Sequence, residues 1–196
     1  MKNLESSEGC VVAPQMLLLG STGRDCGKTV FACEAVRRFR AQSKIVGVKV
    51  TTVEERNGKC PHGGLGCGTC SSLAEDYLIT EETEADGHKD TQRLLASGAD
   101  RVLWLRVLCE NMEAGARALL EAIGPDRLAV CESNRLRTAL KPGVFLMIQP
   151  QTPSNVKGSA RSVMDLADRQ VFSDGQSFDF NWGDLEVQDG RWVLNT

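Results

Sequence analysis

The residues Gly20-Ser-Thr-Gly23-Arg-Asp-Cys-Gly27-Lys28-Thr29 form a glycine-rich run that ends in Gly-Lys-Thr. Such a run suits phosphate chemistry. Glycines let the backbone curl until its N–H groups converge on phosphate oxygens. A lysine at the place of Lys28 reaches the β- and γ-phosphates, and a hydroxyl at the place of Thr29 binds Mg²⁺. The spacing predicts a phosphate-binding loop, a P-loop, made by Gly23, Gly27, Lys28, Thr29 and Val30, with Lys28 as its catalytic cation. The usual pattern G-x-x-x-x-G-K-[ST] has glycine where this chain has Thr22, with Gly20 and Gly23 on either side, so the loop is a variant. Cys26 lies inside it, beside a helix N-terminus of the kind that activates thiols.

The second chemical signature is sulfur. Of eight cysteines, Cys60, Cys67 and Cys70 fall within eleven residues, and His62 stands two places after the first. The spacing Cys67-x-x-Cys70 lets two thiolates share one metal, and Cys60 or His62 would complete three or four ligands. Thiolate and imidazole donors favour Zn, Ni or an Fe–S cluster. Thiols used for redox or persulfide chemistry, and spare thiols on an exposed loop, are the alternatives. Where a fourth ligand is lacking, a second subunit supplies it, which would make a homodimer. Cys33, Cys109 and Cys131 stand beside apolar runs and are expected to behave as small buried hydrophobes.

The elements that must position these groups follow from periodicity. Gln15 to Leu19 reads as a buried strand, Gly27 to Gln42 as a helix with Val30, Phe31, Ala35, Val36 and Phe39 inward, and Ile45 to Val50 as a second strand. Strand, loop, helix, strand is a βαβ unit, so the strands should be parallel. Residues 51–87 break the rhythm as a Cys-rich and acidic insertion. A short helix is expected over Ser71 to Leu78, and Glu81 to Asp86 as a solvated loop face. The alternation then resumes. Asp90 caps a helix ending at Gly98, Val102 to Leu108 is a strand, and Asn111 caps a helix stopped by Gly124-Pro125. Leu128 to Cys131 and Val144 to Ile148 are strands, Ser159 to Ala167 a helix and Val171-Phe172 a short strand. The tail 175–196 carries a hairpin with an Asp189-Gly190 turn. The pattern predicts one α/β domain over 1–196, with a mostly parallel sheet flanked by helices, an antiparallel end and a C-terminal β-hairpin.

Composition narrows the function. The chain has 196 residues, 41% apolar and 25% charged, which suits a folded domain rather than a disordered segment. A net charge of -3, from 23 basic and 26 acidic residues, argues against a generally basic surface and so against nucleic acid as a partner. No apolar run approaches a membrane span, and residues 1–9 do not read as a signal peptide, so a cytoplasmic protein is expected.

The loop ending Gly27-Lys28-Thr29, the strand Val46-Gly-Val-Lys49-Val-Thr51, and Gly87-His-Lys-Asp90-Thr-Gln-Arg93 running into Ala96-Ser-Gly98-Ala99 together resemble the molybdopterin-guanine dinucleotide biosynthesis adaptor proteins. These are small P-loop nucleotide binders in a wider group with dethiobiotin synthetase and metal-insertion GTPases. The resemblance covers roughly residues 16–148. It implies that Lys28 and Thr29 contact phosphate and Mg²⁺, and that Asp90 and Glu132 hold Mg²⁺ or position water as catalytic carboxylates. A phosphoryl-transfer site needs such carboxylates, and open α/β sheets supply them from strand ends. Lys49 stands on the same side and is a candidate for phosphate or substrate. No Asn-Lys-x-Asp guanine motif occurs, so GTP or ATP remains open. The implied function is a slow NTPase that couples nucleotide state, through the Cys segment and a partner protein, to metal or metal-cofactor assembly. The alternatives are an ATP-dependent enzyme of dethiobiotin synthetase type, or a non-hydrolysing nucleotide-regulated binding module.

Overall fold

The computed structural model describes residues 11–54, 73, 75–152 and 155–195. Among these residues nine strands and four α-helices follow in chain order: β1 (Val11–Ser21), α1 (Lys28–Phe39), β2 (Ile45–Val53), β3 (Tyr77–Glu82), α2 (Asp90–Ala96), β4 (Arg101–Leu108), α3 (Met112–Ile123), β5 (Leu128–Glu132), β6 (Leu140–Pro150), α4 (Gly158–Arg161), β7 (Arg169–Ser173), β8 (Leu185–Gln188) and β9 (Arg191–Leu194). Seven strands make one sheet in the order β3-β4-β2-β5-β1-β6-β7. All neighbours are parallel except β3 with β4.

The central strands are buried on both faces, which is why Met16–Leu19 and Leu128–Cys131 read as unbroken apolar runs. Alternation then sorts their side chains. Leu17, Leu19, Leu128 and Val130 pack with α1, whereas Met16, Leu18, Ala129 and Cys131 pack with α3 on the opposite face. In α1 the buried set Phe31, Ala32, Ala35, Val36 and Phe39 recurs at helical spacing, and Arg37, Arg38 and Arg40 are exposed. Helix α2 lies close against β2 because position 47 is glycine. A Cβ there would stand 3.2 Å from Val102 and 3.3 Å from Leu94.

Several expectations need correction. Tyr77 and Leu78 open the strand β3, so the helix expected over Ser71 to Leu78 does not form there; Ser71, Ser72 and Ala74 lie outside the described residues. The segment Tyr77-Leu-Ile-Thr has strand-forming residues that the following acidic run obscured. That run is a loop face only in part, exposed and outside any strand over 83–86. Glu81 and Glu82 belong to β3, Glu81 pairs with Arg101 at 2.7 Å, and Glu82 accepts the Thr91 hydroxyl at 2.7 Å. Lys89 is the N-cap of α2, and Asp90 is its first helical residue. The helix expected over Ser159 to Ala167 is the single turn α4 followed by a 3₁₀ turn, Met164–Leu166. The hairpin β8-β9 forms as expected but as a separate two-stranded sheet, and the antiparallel edge of the main sheet is β3. Among the described residues no helix is long and apolar enough to cross a membrane.

Candidate functional site

Five chemistry-bearing side chains from four elements meet beyond the carboxyl ends of β1 and β5. Strand β5 lies between β1 and β2, and its last residue, Glu132, is in register with Leu19 on one side and Lys49 on the other. In-register neighbours share a face. Glu132 has the parity of Leu128 and Val130, so Glu132 and Lys49 both project on the α1 side, level with the start of that helix. The helix supplies Lys28 and Thr29 as its first two residues. Helix α2, seated against Gly47, brings Asp90.

The loop from Ser21 to Gly27 turns the chain from β1 into α1. Gly27 is the N-cap of α1 at φ 76°, and a Cβ at this position would stand 2.9 Å from the Gly175 carbonyl oxygen. Both the left-handed backbone and the packing therefore require glycine there. The Thr22 N–H donates to the Ile148 carbonyl at 3.0 Å, and the Thr22 carbonyl accepts from the Lys157 N–H at 2.9 Å. Asn134 anchors the loop from the β5 side. Its amide oxygen accepts from the Ser21 N–H at 2.8 Å, and its amide nitrogen donates to the Ser21 carbonyl at 2.9 Å.

The Thr29 hydroxyl lies 3.1 Å from both Asp90 Oδ1 and Glu132 Oε2. Lys49 Nζ donates to Asp90 Oδ2 at 2.5 Å and to Glu132 Oε2 at 3.3 Å. Lys28 Nζ stands 3.9 Å from Glu132 Oε2. Glu132 is 1% exposed, and its other oxygen, Oε1, is buried without a hydrogen-bond partner. A buried carboxylate oxygen left unpaired is costly, and in a cleft of this kind it suits a further polar partner.

Electrostatics follow from the crowding of like and unlike charges. Burial pushes the Lys28 ammonium below the usual lysine range, against the pull of Glu132, and Lys49 and Lys157 add to the depression. Burial acts on Lys49 in the same direction, but Glu132 and Asp90 outweigh it and hold its ammonium above the usual range. Burial opposes the charge on Asp90, yet the contacts with Lys49 and Thr29 keep its carboxyl below the usual range.

These groups line a cleft of about 540 Å³ that also includes Gly23, Arg24, Cys26, Val30, Arg93, Lys157 and Gly175. A second cleft of about 510 Å³ adjoins it, sharing Lys28, Lys49 and Glu132 and bounded by Thr51, Thr52, Ser133, Arg135 and Ser159. The structure thus gathers Gly23, Gly27, Lys28, Thr29, Val30, Asp90 and Glu132 in one place. It also brings in Lys157, together with Asn134 and Arg93, which sequence reasoning had not placed in the site. Of the last two only Asn134 had a usable signal, its position two residues after the strand-ending Glu132. Cys26 is buried, and its thiol lies 3.4 Å from the Arg24 carbonyl. Cys33 and Cys131 are buried as expected, but Cys109 is exposed and accepts from Arg135 at 2.8 Å. Cys60, His62, Cys67 and Cys70 lie outside the described residues. Among the described residues no group of three or more His, Cys, Asp and Glu side chains is placed to hold a metal ion.

The arrangement can bind an anion at the glycine loop and the start of α1, and a hard cation at Thr29, Asp90 and Glu132. No family model, no curated protein and no solved structure matches this chain.

Proposed function

We propose that this chain is a P-loop nucleotide-binding protein of the accessory NTPase kind, which takes GTP or ATP with Mg²⁺ and hydrolyses it slowly. The observation that carries the reading is the meeting of Lys28, Thr29, Asp90 and Glu132 at the mouth of a glycine loop. In this reading the N–H groups of the loop and Lys28 hold the β- and γ-phosphates. Thr29, Asp90 and Glu132 would hold Mg²⁺, and the orphaned Glu132 Oε1 fits a further polar ligand there. Mg²⁺ held by these residues would supply neutralisation of the charge that develops in phosphoryl transfer. Glu132, rigid in the sheet and shielded from solvent, accepts a hydrogen bond from the attacking water and orients it. The hydration of the γ-phosphoryl group then turns on how well these side chains exclude and align water, not on a strong base.

The resemblance to molybdopterin-guanine dinucleotide biosynthesis adaptor proteins directs this cycle to metal or metal-cofactor assembly with a partner protein. Cys60, His62, Cys67 and Cys70 are the proposed ligands of Zn, Ni or an Fe–S cluster, and a shared ligand set makes a homodimer. The second cleft favours one competing reading. It reaches Lys28 and Glu132 and is lined mainly by hydroxyl and cationic groups, as an acceptor pocket in an enzyme of dethiobiotin synthetase type would be. Turnover stimulated by small carboxylic acids would select that reading. Normal affinity without hydrolysis would select a regulated binding module.

Titration with a fluorescent GTP or ATP analogue in Mg²⁺ tests the central claim. Lys28→Ala should weaken binding by at least ~30-fold, corresponding to about 2 kcal/mol for a lost charged hydrogen-bond partner, with an unchanged circular dichroism spectrum. Wild-type affinity in that variant overturns the assignment.

A further inference from the structure

Lys49 poses a problem for the cation site, because its ammonium already sits among the oxygens that a metal would need. It contacts Asp90 Oδ2 at 2.5 Å and Glu132 Oε2 at 3.3 Å, and the single Thr29 hydroxyl lies 3.1 Å from an oxygen of each carboxylate. Within the cluster two carboxylates, Asp90 and Glu132, already face two ammoniums, Lys28 and Lys49, and Arg24, Arg93 and Lys157 on the cleft wall add further positive charge. A divalent cation entering alone would leave the half-buried cluster with two excess positive charges and would have to expel the Lys49 ammonium from its partners. Like charges at such separations repel strongly where solvent screening is weak. A nucleoside triphosphate removes both obstacles. Its phosphates offset the added charge and offer the displaced ammonium new oxygens. The site is nonetheless ready for a further polar partner, because the buried Glu132 Oε1 has none.

We propose that Lys49 is a built-in counter-ion that preforms the Thr29–Asp90–Glu132 cation site and bars small hard divalent cations until nucleotide phosphate draws its ammonium away. The inference rests on the nucleotide reading for its second half only; the competition between ammonium and metal stands on the contacts themselves. Its consequence is an order of events in which metal enters with nucleotide and not before it. A free divalent ion then neither occupies the cluster nor locks it in the absence of nucleotide.

Mn²⁺ reports the competition, because free Mn²⁺ is counted directly by electron paramagnetic resonance. Full-length wild type, Lys49→Met, Lys49→Arg and the double variant Lys49→Met with Asp90→Asn are titrated without nucleotide. All four carry the same Cys segment, so uptake there cancels in the comparison. Wild type and Lys49→Arg should take up Mn²⁺ at the cluster only weakly. Lys49→Met should take up one ion per chain at least ~10-fold more tightly, a change of about 1.4 kcal/mol, and the double variant should lose that gain. Uptake by wild type as tight as by Lys49→Met overturns the inference, as does a gain that survives Asp90→Asn. Should Lys49→Met fail to fold, wild type alone decides: Mn²⁺ uptake that needs a slowly hydrolysed triphosphate analogue supports the inference, and equal uptake without it refutes it. The two readings fail separately. A wild type that never binds the analogue removes the proposed function and leaves the Lys49→Met gain intact, whereas nucleotide binding with no such gain removes this inference alone.

Discussion

At the residue scale, Glu132 is a carboxylate placed where the solvent cannot pay for its charge. Its Oε2 is met by Thr29, Lys49 and Lys28, and its Oε1 by no described group. Asp90 is the more accessible partner, with its side chain 38% exposed, and it carries a pH signature. Lys49 and Thr29 hold its carboxyl below the ordinary value against the effect of burial. A depressed carboxyl adds stability that is present above the unfolded pKa, about 3.9 for aspartate, and is lost as pH falls through the lower folded value. Asp90→Asn removes this contribution. Melting temperature plotted against pH should therefore fall less steeply below about pH 4 in the variant than in wild type. Parallel curves through that window would show that the Lys49–Asp90 contact adds nothing to folding.

At the element scale, the site depends on how closely α2 approaches the sheet. Gly47 lets Leu94 and Val102 close over β2, and the short helix then presents Asp90 to Thr29. Gly47→Val places methyl groups where Leu94 and Val102 already pack. Overpacking of this kind costs about 1–3 kcal/mol, and an outward shift of α2 relieves the contact with Leu94. The variant should unfold at lower denaturant concentration and, while still folded, bind Mg²⁺–nucleotide more weakly than wild type. Full affinity in a destabilised but folded variant would mean that Asp90 does not depend on this seating. The other end of the site is braced by the C-terminal segment. Phe31, two residues after Thr29, stacks on Trp182 at 4.6 Å and meets Phe178 and Phe180 edge to face, while the Gly175 carbonyl abuts Gly27. The first turn of α1 is thus held by aromatic packing behind the cleft.

At the scale of the whole molecule, the cleft draws on β1, β2, β5, α1, α2 and the segments around Lys157 and Gly175, so a ligand that bridges them stabilises the fold as a unit. Binding to the native state alone adds RT ln(1 + [L]/Kd), about 2.7 kcal/mol at a hundredfold excess over Kd. Mg²⁺ with GTP or ATP at that excess should raise the melting temperature by several degrees, and chelation of Mg²⁺ should reverse most of the gain. Unchanged melting with both nucleotides would remove the nucleotide reading at its root.

Much of this arrangement is legible in the residues themselves. The glycine-rich loop is a local pattern, since glycines, a lysine and a threonine at fixed spacing need only the strand before them and the helix after them. The parallel core is equally local, because strands buried on both faces must be apolar throughout, and Glu132 stands out as the acid that ends one of them. The acidic residues after Tyr77 hid β3, whose partner β4 is distant in sequence and whose pairing no local signal reports. Lys49, a candidate within its strand motif, and Asn134, outside any motif, are likewise joined to the site by contacts distant in sequence. Lys49 belongs to the site because β5, not β1, pairs with β2 and sets it level with Glu132, and Asn134 because its amide meets Ser21 across 113 positions of chain. Sequence alone determined the candidate groups, the glycine run with Lys28 and Thr29 and the acids Asp90 and Glu132. The order and register of the strands, and the closeness of α2 that Gly47 permits, decided which of them meet.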